Sequence, residues 1–173
     1  MTKLFLILHV LAAIMAVGPV AVAASMFPPV LRGALAGPGE AAPVTTLRTL
    51  HRICRVYAGV GIAVVIFGFA TASSMGVLDS AWLITSIALT FIAAVILIVL
   101  VLPRQESALE AVAAVGAAGG GTGGTEEATA AQGAVRLDAR TSVQLAMFTG
   151  IFNVLWATVT ILMIVRPGST TGG

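Results

Sequence analysis

Charged residues are scarce in this sequence. Only 9% of its 173 residues are Asp, Glu, Lys or Arg, whereas 58% are hydrophobic. A soluble globular domain carries about 25% charged residues, so the missing charge indicates that much of the chain is in contact with lipid. Lys and Arg outnumber Asp and Glu by only nine to seven, and aromatic residues are few. The composition therefore predicts no nucleic-acid binding.

Cysteine and the common catalytic motifs are also nearly absent. The single cysteine, Cys54, excludes an intrachain disulfide and a multi-cysteine zinc site. The sequence has no phosphate-binding glycine loop, no HExxH or GxSxG motif, and no carboxylate within its long apolar stretches. It also lacks the matching interrupted halves of many transporters. These absences predict a protein that is not an enzyme and holds no cofactor.

Four long apolar segments are present instead. A helix that crosses a bilayer needs about 20 mostly apolar residues, and four stretches meet this requirement, at about 4–24, 53–73, 81–102 and 144–165. The helices that contain them are predicted at about 4–24, 45–75, 81–102 and 134–165. We therefore predict an all-α integral membrane protein. Its four transmembrane helices are expected to form one up-down-up-down bundle, a single membrane domain that spans residues 1–173.

The connections between these helices differ in composition. The first is rich in proline and glycine between Pro28 and Pro43, which predicts a loop. The second, over residues 76–80, is short enough for a tight hairpin. The third contains a Gly/Ala-rich stretch at about 116–130, with too little apolar surface to offset the entropy of ordering. We predict a flexible cytoplasmic loop there.

The basic residues indicate an orientation in the membrane. Seven of the nine lie in or beside the two long connections: Arg32, Arg48, Arg52, Arg55, Arg104, Arg136 and Arg140. Because short cytoplasmic loops are enriched in Lys and Arg, we predict a multi-pass cell-membrane protein with both termini outside and both long loops in the cytoplasm. An alternative treats the first segment as a signal peptide cleaved after Ala21-Val22-Ala23. That alternative leaves three helices and inverts the charge rule.

Polar residues inside the apolar segments are the candidate functional residues. Counting inward from the helix ends puts Thr71, Ser86 and Thr160 at about the depth of His9, in the outer half of the bundle. The structural interpretation is a hydrogen bond from His9 to one of these hydroxyls. The functional alternative is a small-solute or copper-like metal site around His9, with a thioether from Met75 or Met163 as a soft ligand.

His51 and Asn153 are the remaining polar candidates. His51 lies at the opposite end of the bundle from His9, about 25 Å away in depth, so the two histidines cannot share a haem within one chain. A haem held between two chains stays open as a further alternative. Asn153, near the middle of the fourth segment, needs a partner, either a backbone carbonyl in the bundle or another subunit, and we interpret it as a packing residue.

Two short sequences resemble known membrane proteins: Leu8-His9-Val10-Leu11-Ala12-Ala13 followed by Gly18, and His51-Arg52-Ile53-Cys54-Arg55-Val56-Tyr57. On these residues the chain resembles a family of small four-helix bacterial integral membrane proteins of unknown function, the kind frequent in actinobacteria. The resemblance covers most of the chain apart from the Gly-rich loop. The first helix is also similar to the membrane part of copper-resistance D proteins. The family implies the fold and a bacterial plasma membrane, but no activity.

The leading hypothesis is a non-enzymatic polytopic protein that acts as an accessory or interaction subunit. It follows from small residues suited to helix packing, such as Gly59 with Ala63, without a catalytic constellation. Its expected partners are the lipid bilayer and either another membrane protein or a second copy of the chain.

Overall fold

Helices are the only regular secondary structure among the residues that the structure describes. The computed structural model describes residues 2–37, 41–118 and 125–168, and the side chains of 3–37, 42–116 and 140–168. The helices are α1 (Thr2–Ala36), α2 (Ala41–Met75), α3 (Ala81–Val95), a π-helical segment (Ile96–Val101), α4 (Leu102–Ala118) and α5 (Thr125–Val165). Because α3, the π-helical segment and α4 follow one another without a break, they form one long rod.

Four helical rods of the described chain are long and apolar enough to cross a membrane: Lys3–Ala36, Ala42–Met75, Ala81–Gly116 and Arg140–Val165. The all-α class and the four membrane-spanning helices are therefore confirmed.

α1 is longer than the sequence predicts. A loop was expected after residue 24, but α1 continues through Pro28 and Pro29 to Ala36. Proline disfavours a helix interior because it has no N–H to donate and its ring clashes with the preceding turn. The prediction was wrong because tertiary packing offsets this cost. Phe27 and Leu31 are fully buried in the same apolar cluster as Leu47 of α2.

The third connection is shorter than the predicted loop at 116–130. α4 reaches Ala118 and α5 begins at Thr125, so residues 116–118 and 125–130 are helical. The alanine-rich sequence on both sides explains the difference, because alanine has the highest intrinsic helix propensity. Residues 119–124, the rest of the expected loop, lie outside the described residues.

The π-helical segment ends two residues before Pro103. Proline removes one backbone donor from the helix, and the local hydrogen bonding changes accordingly: the N–H of Leu102 donates to the carbonyl of Leu97. The guanidinium of Arg104 donates to the carbonyl of Leu100 at 3.0 Å. With these bonds the helix continues through Pro103 without a break.

The helices contact one another unequally. α1 packs along α2 and, less extensively, α5, while α3 and α4 both pack on α5. Two cation–π contacts establish the relative direction of the last two rods: Arg166 lies over the ring of Trp82 at 5.7 Å, and Arg104 lies over the ring of Phe148 at 4.7 Å. Because the order of the residues is reversed between the rods, they are antiparallel. The up-down-up-down order of all four rods stays a prediction.

Charged residues mark the two edges of the apolar layer. α2 has no charged residue over the 20 positions 56–75, a helical length of about 30 Å, which equals the thickness of a bilayer's hydrocarbon core. Arg104 lies level with Arg55 because its neighbour Gln105 contacts Cys54 of α2. Arg55 and Arg104 therefore mark one edge, and Arg166 beside Trp82 marks the other.

Candidate functional site

His9 joins α1 to α2. Its Nδ1 lies 3.0 Å from the carbonyl oxygen of Val64, and since a carbonyl only accepts, Nδ1 is the donor. The ring rests on Gly68, where an added Cβ would lie 2.8 Å from His9 Cε1. Glycine at position 68 is thus what allows the imidazole to approach the α2 backbone.

The predicted outer polar layer around His9 does not form. The hydroxyls of Thr71, Ser86 and Thr160 donate instead to carbonyls of their own helices, at 2.7, 2.8 and 2.9 Å. Val64 and Gly68 precede the end of α2 by 11 and 7 residues, which places the His9 ring about 10–17 Å from that end. The predicted bond to a hydroxyl was wrong: His9 lies deeper than Thr71 and its partner is a backbone carbonyl.

The structure keeps the two histidines apart. Val64, the partner of His9, lies 13 residues from His51 on α2, a separation of about 20 Å along the helix. Among the described residues, no group of three or more His, Cys, Asp or Glu side chains is arranged around a common point. Because His9 Nδ1 donates to the carbonyl of Val64, only Nε2 is left to bind a metal in the metal-handling alternative.

A buried polar cluster at the other end of the bundle was missed from the sequence. Gln105 of α4 is fully buried, with Oε1 at 3.2 Å from His51 Nδ1 and Nε2 at 3.7 Å from Cys54 Sγ. The amide oxygen accepts from the imidazole, and the amide N–H donates to the sulfur. His51 and Cys54 are three residues apart and share a helix face. Their pairing with Gln105 depends on the register between two helices, which no local pattern reveals.

Asn153 connects α5 to α1. Its Nδ2 donates to Ser25 Oγ at 3.2 Å, so within the bundle its partner is a hydroxyl, not the backbone carbonyl expected from the sequence. Three buried side-chain atoms of α5 have no hydrogen-bond partner in the described structure: Thr149 Oγ1, Asn153 Oδ1 and Trp156 Nε1. The spacing of four and three residues puts all three on one face, where α5 meets the rest of the bundle.

An apolar crevice opens from the bundle toward the lipid. Its volume is about 150 Å³, and its walls come from α1, α2, α5 and the rod formed by α3 and the π-helical segment. Small and aromatic side chains line it, among them Gly61 and Trp156. Ile62, Val65 and Ile98 also line it and are themselves 65%, 58% and 54% exposed. The opening therefore lies between α2 and the π-helical segment.

The contact between His9 and Gly68 predicts a paired mutational effect. Gly68→Ala should destabilise the protein by about 1–3 kcal/mol, because the new methyl group overlaps the imidazole. His9→Ala should remove most of that penalty when combined with Gly68→Ala. Thermal unfolding of the single and double variants in mild detergent measures this coupling.

Gly59→Ala is the matched control, because an added Cβ there meets nothing within 4 Å. His9→Gln should be tolerated, since its amide can still donate to Val64. Equal effects of alanine at positions 59 and 68 would contradict the contact.

No protein-family model, no curated protein and no solved structure matches this chain.

Proposed function

We propose that this protein is a non-enzymatic accessory or interaction subunit of a cell membrane, and that its partner is another transmembrane helix. The partner belongs either to a second copy of the chain or to a different membrane protein. The described polar side chains support a packing role: His9 and Asn153 bond α1 to α2 and α5, and Gln105 bonds α4 to α2. Hydrogen bonds of this kind hold transmembrane helices together.

The main support for this proposal is a row of exposed small residues on one face of α5. Ala146, Gly150 and Ala157 are exposed and lie four and seven residues apart, so they form a stripe along one side of the helix. Asn153 lies between them on the same stripe. We call these four residues the α5 small face. A Cβ added at Gly150 would meet nothing within 4 Å, which leaves the backbone open to close approach.

Small residues on a lipid-facing helix favour association because lipid tails compete weakly with close backbone packing. A partner helix that lies on the α5 small face gains dispersion contacts along the stripe. It also comes within reach of the Asn153–Ser25 pair, which gives the contact polar specificity. An accessory subunit needs a surface on which a partner helix can pack, and the α5 small face is of this kind. If α5 faced only lipid, the small residues would not strengthen any contact between helices.

Gly150→Leu tests the proposal. We expect the wild-type protein, extracted from native membranes in mild detergent, to run as an oligomer or with a stoichiometric partner. The Gly150→Leu variant should run as a lone chain, because the leucine side chain separates the two backbones. Mass measurement by light scattering after size exclusion gives the result.

Gly59→Leu is the control, since Gly59 is exposed on α2 and equally free of neighbours. A wild-type protein that is already monomeric and without a co-purifying partner would overturn the proposal. A Soret band or bound copper in the purified wild-type protein would instead favour the haem or metal alternative.

The proposed orientation has both termini outside and both long connections in the cytoplasm. It rests on the arginines Arg32, Arg48, Arg52 and Arg55, which belong to the first connection and the adjoining helix ends. In a Cys54→Ser background, a cysteine placed at Gly121 should resist a membrane-impermeant thiol reagent in intact cells, and one at Ser169 should react. Labelling of the two positions in the reverse pattern would invert the topology.

A further inference from the structure

Three arginines of α2 form one exposed stripe. Arg48, Arg52 and Arg55 are exposed and spaced four and three residues apart, which puts them on the same helix face. The next exposed residues on that face are Gly59, Ile62 and Ile66. The arginine stripe thus continues directly into the apolar surface of α2 that faces lipid.

The stripe ends where the hydrocarbon layer begins. Arg55 is the last charged residue before the uncharged positions 56–75 of α2. Its guanidinium therefore lies at the depth of the lipid phosphates. Arg52 lies about one turn further out, on the same side.

The apolar crevice starts just below these arginines. On α2 its lining begins at Tyr57 and ends at Val65, which is 2 to 10 residues beyond Arg55, or about 3–15 Å deeper. The crevice therefore occupies the leaflet at the arginine end of the bundle. Its opening includes Ile62, which lies on the same face as Arg55 and Gly59.

We propose that the arginine stripe and the crevice together form a binding site for one anionic phospholipid. The phosphate lies between Arg52 and Arg55, and one acyl chain enters the crevice past Ile62. Guanidinium groups match phosphate oxygens in charge and geometry. Hydrocarbon fills the crevice because an empty apolar space in the bilayer forfeits dispersion contacts along its walls.

The small lining residues explain why protein does not fill this space. Gly61 and Ala94 face the crevice from α2 and α3, and a Cβ added at Gly61 would meet nothing within 4 Å. Larger side chains at these two positions would close the crevice from within. The site thus combines positive charge at the membrane edge with small residues deeper in the same leaflet, and an anionic phospholipid matches both parts.

Lipid titration of the full-length protein tests the site. Delipidated protein in mild detergent is titrated with phosphatidylglycerol or with phosphatidylcholine of identical acyl chains, and retained lipid is counted by native mass spectrometry. We expect one phosphatidylglycerol to be retained and to raise the unfolding temperature more than phosphatidylcholine does. Arg52→Gln with Arg55→Gln should weaken this binding at least about tenfold. Each arginine near an anionic lipid is attracted to it, and the two contributions together exceed the free energy of a tenfold change in affinity.

Two glycines provide a matched pair for the acyl-chain half. Gly61→Leu fills the crevice and should weaken phosphatidylglycerol binding. Gly33→Leu adds the same side chain at an exposed position of α1 that does not line the crevice, where an added Cβ meets nothing within 4 Å, and should not. Arg140→Gln, an exposed arginine on α5, controls for overall charge. The unfolding temperature of each variant without added lipid shows that it is folded.

Three outcomes would overturn the proposal: equal stabilisation by the two lipids, equal effects of leucine at positions 33 and 61, or equal effects of the double arginine variant and Arg140→Gln. In a last titration inorganic phosphate replaces the lipid, and we expect the unfolding temperature to stay unchanged because phosphate has no acyl chain to fill the crevice. If it reproduces the stabilisation by phosphatidylglycerol, the site binds phosphate alone and the acyl-chain assignment is wrong.

Discussion

Gln105→Ala should lower the free energy of unfolding by about 2–4 kcal/mol. The substitution leaves a cavity in a fully buried site, and it removes the acceptor of His51 and the donor to Cys54. Because both partners lie on α2, the change should loosen the contact between α2 and α4. Reversible unfolding in mixed detergent micelles measures the difference from wild type.

Two further variants accompany this test: one controls for the position, and the other separates side-chain volume from hydrogen bonding. Glu106→Ala, at the exposed neighbouring position, should change stability by less than about 0.5 kcal/mol. Gln105→Leu keeps most of the volume but removes the hydrogen bonds, and we expect an intermediate loss of about 1–3 kcal/mol. If Gln105→Leu matches wild type, the polar cluster contributes nothing and only its packing matters.

Phe27→Ala should destabilise the protein by about 3–5 kcal/mol, the usual cost of truncating a buried phenylalanine. Phe27 is fully buried against the α1–α2 core directly before Pro28 and Pro29, two of the three prolines inside α1. Its burial offsets much of the cost of placing Pro28 and Pro29 inside α1. Loss of the ring should therefore unfold the end of α1 as well as weaken its packing.

Met26→Ala is the matched control, because the neighbouring Met26 is 47% exposed and should cost less than about 1 kcal/mol. Hydrogen exchange of the amides over residues 30–36 should increase strongly in Phe27→Ala and little in Met26→Ala. Similar effects of the two variants would mean that this part of the chain is the loop expected from its composition, and that α1 ends earlier.

The sequence by itself determined the class of the protein and its four membrane-spanning helices. This follows from composition and length alone: a segment of about 20 apolar residues without charge satisfies its backbone polar groups in lipid only as a helix. The hairpin at residues 76–80 was predicted as well, because this connection between two apolar segments is short. In the structure Gly76 has a positive φ of 65°, a conformation that glycine adopts at no steric cost.

Only the tertiary structure decided where α1 ends and which polar groups meet. Pro28 and Pro29 signal a loop to any local analysis, and the burial of Phe27 overrides that signal through contacts with residues 47–54, far along the chain.

In the same way, His9 meets Val64 and Gln105 meets His51 because of the register between helices. Register is set by the sum of many side-chain contacts along two rods, each worth little alone. A shift by one turn would keep every local preference intact and pair different residues. Local sequence preferences therefore define the helices, and long-range packing selects the contacts between them.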